Sequence, residues 1–423
     1  MSARNVILLS LDEVRADHLG CYGYARMGTP AFDKLAQQGT LFEDCFAASE
    51  LTPIAMGAVI TGKYPYRDGK RDPYSNLLGP TLGTWFRSAG FETAGFAGNG
   101  LLSRSHGFAQ GFDFWNESTE ETSWTGRTIS FPLVKDSERW YEGNYWVERF
   151  FEWLDAHHDK PFFVWGHYFE THEGSENYLL EQGLIKEGVM PEFGYYDAKI
   201  AMVDETVIGR VCDALDRYGI ADETLLVVMA DHGTNLGEHE VTDLPWRERG
   251  TKYPQHTTMY DHDLRIALLM KGSGIPAGKR IPGVVRSIDL APTILEIAGV
   301  EPAGLNLDGV SLLPTIERGR SEGQTAYAED LFEARGDGAT QAVRTDAFKF
   351  MRNLTQWTEE FYDIQADPGE IRNLVSERDE DELIELRKLL NGNLESQASA
   401  SGSLSEQEKR QINERLRDLG YIQ

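Results

Sequence analysis

The chain has no apolar run approaching the ~20 residues of a membrane-spanning helix, and its beginning, MSARNVILLSLDE, meets acidic residues without a small-residue cleavage site. These two absences predict a cytoplasmic protein with no membrane partner. Cysteine is scarce: Cys21, Cys45 and Cys212 are scattered without a C-x-x-C spacing, which argues against a disulfide framework and a zinc–thiolate site. Cationic residues are also in deficit. Forty-one Lys and Arg stand against 68 Asp and Glu, a formal charge of −27. Nucleic acid is therefore not an expected partner, because duplex binding requires cations that neutralise phosphates. An anionic substrate would need a local positive centre to draw it in, and a divalent metal ion is the obvious one.

What is present is an ordinary globular composition, 41% hydrophobic and 26% charged over 423 residues, long enough to bury a large core. The run at residues 4–11 is apolar and leads into Asp12-Glu13. PFFVWGHYFETH, 161–172, and ETLLVVMADHG, 223–233, repeat the pattern, the latter closing on Asp231-His232-Gly233. Continuous apolar runs of this length predict buried parallel strands that deliver polar side chains at their carboxyl ends. Ligand sites of open α/β sheets lie at that edge. Helical periodicity recurs in TPAFDKLAQQG, TLGTWFRSAG, ERWYEGNYWVERFFEWLDAHH, YDAKIAMVDETVIGRVCDALDRYG and SIDLAPTILEIAGV, and RIALLMKG reads as a further strand.

Alternation of this kind predicts an α/β fold, a mostly parallel central sheet with helices on both faces. From about residue 320 the texture changes to short alternating segments, TAYAED, QAVRTDAFKFMRN and EFYDI, followed by a polar tract and a charged helix. This predicts an α/β domain over 1–318 and a small C-terminal α+β subdomain over 319–423, built on an antiparallel sheet and packed on the first.

Asp12, Glu13, Thr52, Asp231 and His232 come from three remote segments, and together they suit a divalent cation: carboxylates for charge, imidazole nitrogen and a hydroxyl. His ligation favours Mn or Zn, with Ca or Mg also compatible. Thr52 opens TPIAMGAVITGKYP, and Thr before Pro is also a good helix start. A hydroxyl at a helix amino terminus sits where backbone N–H groups can hold an anionic oxygen.

Ordered blocks along nearly the whole chain, ILLSLDEVRADHLGCYGY, TGKYP, TLGTWFRSAGFETAGF, ADHGTNLGEH, MYDHDLRIALLMKG, LDGVSLLP and FYDIQADPGEIRNL among them, resemble the sulfatase-like branch of the alkaline phosphatase superfamily. The resemblance implies a metal-dependent ester hydrolase and assigns residues one by one. Asp12 matches the first metal-binding aspartate and Glu13 the second acidic position; Asp231 and His232 match the later metal pair. Thr52, nine positions before Thr61, falls on the nucleophile. Sulfatases carry Cys or Ser there in a C-x-P-S-R type motif that is oxidised to formylglycine, whereas this chain reads T-P-I-A-M, with Met56 in place of Arg.

The cationic G-K-W-H stretch of sulfatase pockets is here Gly98-Asn99-Gly100-Leu101, so Asn99 is expected to contact substrate as a neutral donor. Arg15 is expected to orient Asp12 beside the substrate. Thr at the nucleophile position resembles phosphodiesterase and phosphonate-hydrolase members of the superfamily. His256 falls where two-metal phosphodiesterases have a histidine ligand, but Tyr168 stands where their aspartate would be. One ion is therefore expected and a second is left open. In the one-ion arrangement His172 and His256 bind non-bridging oxygens or protonate the leaving group.

The expectation from sequence is thus cleavage of a phosphoester or phosphonate, a small anionic ester, through a covalent Thr52 intermediate. A sulfuric ester hydrolase without formylglycine and a non-catalytic anion-binding relative are the alternatives, and a homo-oligomer is left open.

Overall fold

The computed structural model describes residues 3–73, 75–117, 121–122, 128–129, 145–171, 194–239, 258–302, 307–331 and 339–400. Two compact units divide the chain, Met1–Asn373 and Leu374–Gln423. Among the described residues of the first, fourteen strands run in order. They are β1 (Asn5–Leu11), β2 (Thr40–Phe46), β3 (Glu92–Ala97), β4 (Phe114–Glu117), β5 (Glu121–Thr122), β6 (Thr128–Ile129) and β7 (Phe162–Tyr168). There follow β8 (Thr224–Ala230), β9 (Arg265–Lys271), β10 (Lys279–Arg286), β11 (Ala326–Asp330), β12 (Thr340–Arg344), β13 (Phe348–Asn353) and β14 (Thr358–Asp363).

Eight strands form the central sheet in the order β10-β2-β9-β8-β1-β7-β3-β4. β1 lies at its middle, parallel to β7 and β8, and all seven of its residues are buried. That is why its sequence is a continuous apolar run rather than an alternating one. β9 is the exception to parallel order, antiparallel to both β8 and β2. The alternation of strands and helices and the mostly parallel sheet agree with the fold read from the sequence. A separate antiparallel sheet, β11-β12-β13-β14, accounts for the textural change after residue 320, and it falls within the first compact unit. The second unit holds the helix Glu380–Ala400.

Among the described residues the helices follow the periodic segments, with one interruption. YDAKIAMVDETVIGRVCDALDRYG is helical over Gly194–Val203 and Arg210–Tyr218, joined by a π-helical turn, Asp204–Gly209. Asp204 uses that turn to cap another element. Its carboxylate accepts from the backbone N–H groups of Ala31 and Phe32 at 3.1 and 2.8 Å, at the amino end of helix α1 (Pro30–Gln38), whose own cap residue Thr29 makes no side-chain bond to the helix. Among the described residues no helix is long and apolar enough to cross a membrane.

Candidate active site

The register of the three central strands assembles the site. Leu11 of β1 pairs with Tyr168 of β7 and with Ala230 of β8, so Asp12 and Asp231 leave the sheet side by side. Backbone bonds continue the ladder one step further, Asp12 N–H to the Tyr168 carbonyl at 2.9 Å and Asp231 N–H to the Leu11 carbonyl at 3.1 Å. Ligand atoms of Asp12, Asp231 and His232 all lie within 4.8 Å of one another, and all three residues are buried.

Asp231 is held from its backbone side. Its Oδ1 accepts from the N–H groups of His232 at 2.8 Å and Glu13 at 3.2 Å. Its Oδ2 is buried and makes no hydrogen bond among the described residues. Burial, together with the charge of Asp12, raises the Asp231 carboxyl above the usual carboxylate range. His232 Nδ1 lies 2.8 Å from the Gly233 carbonyl, an acceptor only, so Nδ1 carries the proton and Nε2 presents a lone pair to the cluster. Gly233 is required by close approach: a Cβ there would sit 2.0 Å from the His262 carbonyl oxygen.

The fourth member arrives on helix α2 (Thr52–Thr61), whose ten residues are all buried. Leu51 occupies the cap position and Thr52 the first helical one, which differs from the capping role that Thr-Pro suggested. The Thr52 hydroxyl is instead free to face the cluster, with Oγ1 3.1 Å from His232 Nε2 and 3.4 Å from Asp12 Oδ2. Asn99 completes this wall. Its Nδ2 donates to Asp12 Oδ2 at 3.4 Å while its Oδ1 accepts from Leu101 N–H. Gly98 makes that approach feasible, since a Cβ on it would lie 2.9 Å from the His167 carbonyl.

Two carboxylates and an imidazole nitrogen, converging in a buried space with one carboxylate oxygen lacking a hydrogen bond, fit a divalent cation. The residues that would hold it are Asp12, Asp231 and His232. Such an ion, when bound, supplies compensating charge and Lewis-acid polarisation of an ester oxygen.

Not every residue chosen from sequence joins the cluster. Glu13 is buried, but its backbone takes a left-handed turn, φ 58°, and its carboxylate is not among the clustered ligand atoms. Tyr196 holds this turn, donating from its hydroxyl to the Glu13 carbonyl and accepting from Arg15 N–H at 2.8 Å. Beyond the turn Arg15 does not orient Asp12. Its guanidinium donates to Asp17 at 2.9 and 2.7 Å, to Glu238 at 2.6 Å and to the Thr234 carbonyl at 3.1 Å. It lines a cavity of about 330 Å³ whose lining includes none of Asp12, Thr52, Asp231 or His232. His172 and His256 lie outside the described residues.

His167 is the site residue that sequence reasoning missed. Fully buried on β7, it places Nε2 3.3 Å from Asp12 Oδ2. A polar residue inside the apolar run FFVWGHY is the signal that marked it, since an unpaired buried imidazole is costly.

Comparisons with known proteins identify the family. The Sulfatase family profile matches residues 4–300, and a second, described as N-sulphoglucosamine sulphohydrolase, C-terminal, matches 252–398. An N-acetylglucosamine-6-O-sulfatase of Bacteroides thetaiotaomicron is 23% identical, covering 88% of this chain and 82% of its own. A solved structure bound to its substrate D-glucosamine-2-N,6-O-disulfate aligns with TM-score 0.73 at 20% identity, over 95% of this chain and 99% of that one. The phosphonate monoester hydrolase of Agrobacterium radiobacter aligns with TM-score 0.71 at 21% identity, over 96% and 98%. The chain is a member of the sulfatase family, a hydrolase of the alkaline phosphatase superfamily.

Proposed function

We propose that this protein is a metal-dependent hydrolase of small sulfuric esters, with sulfated sugars as the substrate class suggested by its relatives. The observation that carries the reading is Thr52 Oγ1 within hydrogen-bond reach of both Asp12 and His232, inside the cluster Asp12, Asp231 and His232. In this reading Thr52 attacks without conversion to an aldehyde, which its side chain cannot undergo. The hydroxyl proton passes to the Asp12 carboxylate, whose Oδ2 lies 3.4 Å from Thr52 Oγ1. A bond forms from Thr52 Oγ to the ester's central atom as the bond from that atom to the leaving oxygen breaks, and the alcohol departs with a proton. Water then cleaves the covalent threonine ester, returning Thr52 and releasing the inorganic anion.

Asn99 donates to oxygens of the bound ester, and the buried setting of the whole group strengthens each such contact. Asp12, Asp231 and His232 would hold an ion that offsets the charge they and the substrate bring. The preference for Mn or Zn rests on the single imidazole nitrogen beside two carboxylates.

A second reading is a phosphorus ester or phosphonate as substrate. It is favoured by Thr52 itself: the residues at 52, 55 and 56 are Thr, Ala and Met rather than the Cys or Ser, Ser and Arg of the formylglycine motif. The likeness in fold to a phosphonate monoester hydrolase is compatible with it. The discriminating experiment is turnover of p-nitrophenyl sulfate, p-nitrophenyl phosphate, bis-p-nitrophenyl phosphate and p-nitrophenyl phenylphosphonate, combined with elemental analysis of the purified protein. Sulfate ester cleavage at the highest kcat/KM supports the first reading. Cleavage confined to phosphorus esters overturns it in favour of the second, and no turnover with no bound metal overturns both.

A further inference from the structure

His167 belongs to a hydrogen-bonded chain that runs from the core of the sheet to the cluster. Trp165 Nε1 donates to Ser10 Oγ at 3.0 Å, Ser10 Oγ lies 2.9 Å from His167 Nδ1, and His167 Nε2 lies 3.3 Å from Asp12 Oδ2. Ser10 and His167 are register partners on neighbouring parallel strands. Ser10 and Asp12 are two residues apart, so they share one face of the sheet. All four side chains are buried, each no more than 1% exposed.

The proton positions follow from what each atom can do. The indole N–H is a donor only, so it occupies an acceptor site on the Ser10 oxygen. That leaves the serine's own proton for His167 Nδ1 at 2.9 Å or the Gly166 carbonyl at 3.5 Å, and the shorter contact is to the imidazole. With Nδ1 accepting, the ring proton sits on Nε2 and is donated to the Asp12 carboxylate. The two histidines beside Asp12 thus hold opposite tautomers. His232, with Nδ1–H tied to Gly233, offers a lone pair; His167, tied to Ser10, offers a proton.

We propose that His167 is a positioning residue: the Nε2–H held ready by Ser10 fixes the rotation of the Asp12 carboxylate and so presets that carboxylate for a divalent ion. This rests on the reading of Asp12, Asp231 and His232 as metal ligands. Partners that orient a ligating carboxylate typically change metal affinity by about 10- to 100-fold.

The test exploits the different reach of two amides. His167→Gln carries an N–H near the position of Nε2, and His167→Asn carries one only near Nδ1. Mn²⁺ binding to the metal-stripped full chain is measured by isothermal titration calorimetry with MnCl₂, alongside the thermal midpoint of each metal-free variant. Binding within about threefold of wild type is expected for His167→Gln, and about 10- to 100-fold weaker binding for His167→Asn. Lost core volume alone would lower the metal-free thermal midpoint of His167→Asn, which the paired melting measurement reads separately from the affinity. Equal binding by both variants, whether wild-type or weakened, overturns the proposal.

If His167→Asn does not fold, Ser10→Ala replaces it; it frees Nδ1 while keeping the imidazole, and wild-type affinity in that variant overturns the proposal. A wild-type chain that binds no Mn²⁺ overturns the metal-site reading itself. Tight wild-type binding with indifferent variants overturns only the role of His167.

Discussion

Thr52 Oγ1 stands 3.1 Å from His232 Nε2, and this distance links a residue on the first turn of a buried helix to one just past the end of a central strand. The hydroxyl faces a nitrogen whose proton is committed elsewhere, to Gly233 through Nδ1. A cation held by that nitrogen would stand beside the hydroxyl and favour its ionised, nucleophilic form.

Removing that hydroxyl is expected to be decisive for turnover and nearly silent for the fold. Thr52→Ala should lower kcat by at least about 10³-fold, given the size of nucleophile deletions elsewhere, with bound metal unchanged by elemental analysis. Thr52→Ser should recover part of the rate. Intact-protein mass spectrometry of quenched wild-type reactions should show an adduct on Thr52. Full activity of Thr52→Ala would remove the nucleophile assignment.

The two adjacent carboxylates make opposite demands with and without a cation. Asp231→Asn removes one of two buried like charges, so the metal-free variant is expected to melt no lower than wild type. Its Mn²⁺ affinity should fall by at least about 10-fold, since a charged ligand is lost. Dialysis against EDTA should likewise abolish wild-type turnover, with MnCl₂ or ZnCl₂ restoring it. Activity that survives complete chelation would speak against the cluster as a metal centre.

Arg15 and Asn99 should separate cleanly. The Arg15 head group anchors Asp17, Glu238 and the Thr234 carbonyl, so Arg15→Met is expected to cost about 1–3 kcal/mol of stability with KM little changed. Asn99 touches Asp12 at the site, so Asn99→Ala should lower kcat/KM by about 10²-fold with a melting midpoint close to wild type. Urea denaturation and steady-state kinetics on both variants provide the check.

A pH effect on stability is expected from a buried triad away from the cluster. Lys349 Nζ lies 2.9 Å from both Asp261 Oδ1 and Glu370 Oε1, so one ammonium serves two carboxyls. Burial, and then the charge of Asp261, push the Glu370 carboxyl up to about 7, against the pull of Lys349. A carboxyl raised on folding binds its proton more tightly in the folded state. Its stabilising contribution is therefore complete below its unfolded value near 4.5 and is lost as pH rises toward about 7. Urea midpoints should fall between pH 5 and pH 7.5, and Glu370→Gln should flatten that slope. An unchanged slope in the variant would exclude Glu370 as its source.

Much of the site was legible in the chain because its chemistry sits at the ends of apolar runs. Leu11-Asp12 and Ala230-Asp231 each mark a strand that stops where polarity begins, and a parallel sheet brings such ends to one edge. Thr52 was legible through the family resemblance, as the residue nine positions before Thr61. Arg15 was not. One residue with positive φ, Glu13, reverses the chain between Asp12 and Arg15, and proximity in sequence became divergence in space.

By itself, then, the amino-acid order determined the fold class, the strands that carry Asp12 and Asp231, and the family, since these depend on local periodicity and on ordered motifs. Only the tertiary structure decided which neighbours Asp12 has. His167, Asn99 and Thr52 reach it from a second strand, a strand end and a helix. The physical reason is register: pairing of β1 with β7 sets Ser10 beside His167, and no pattern within either segment encodes that pairing.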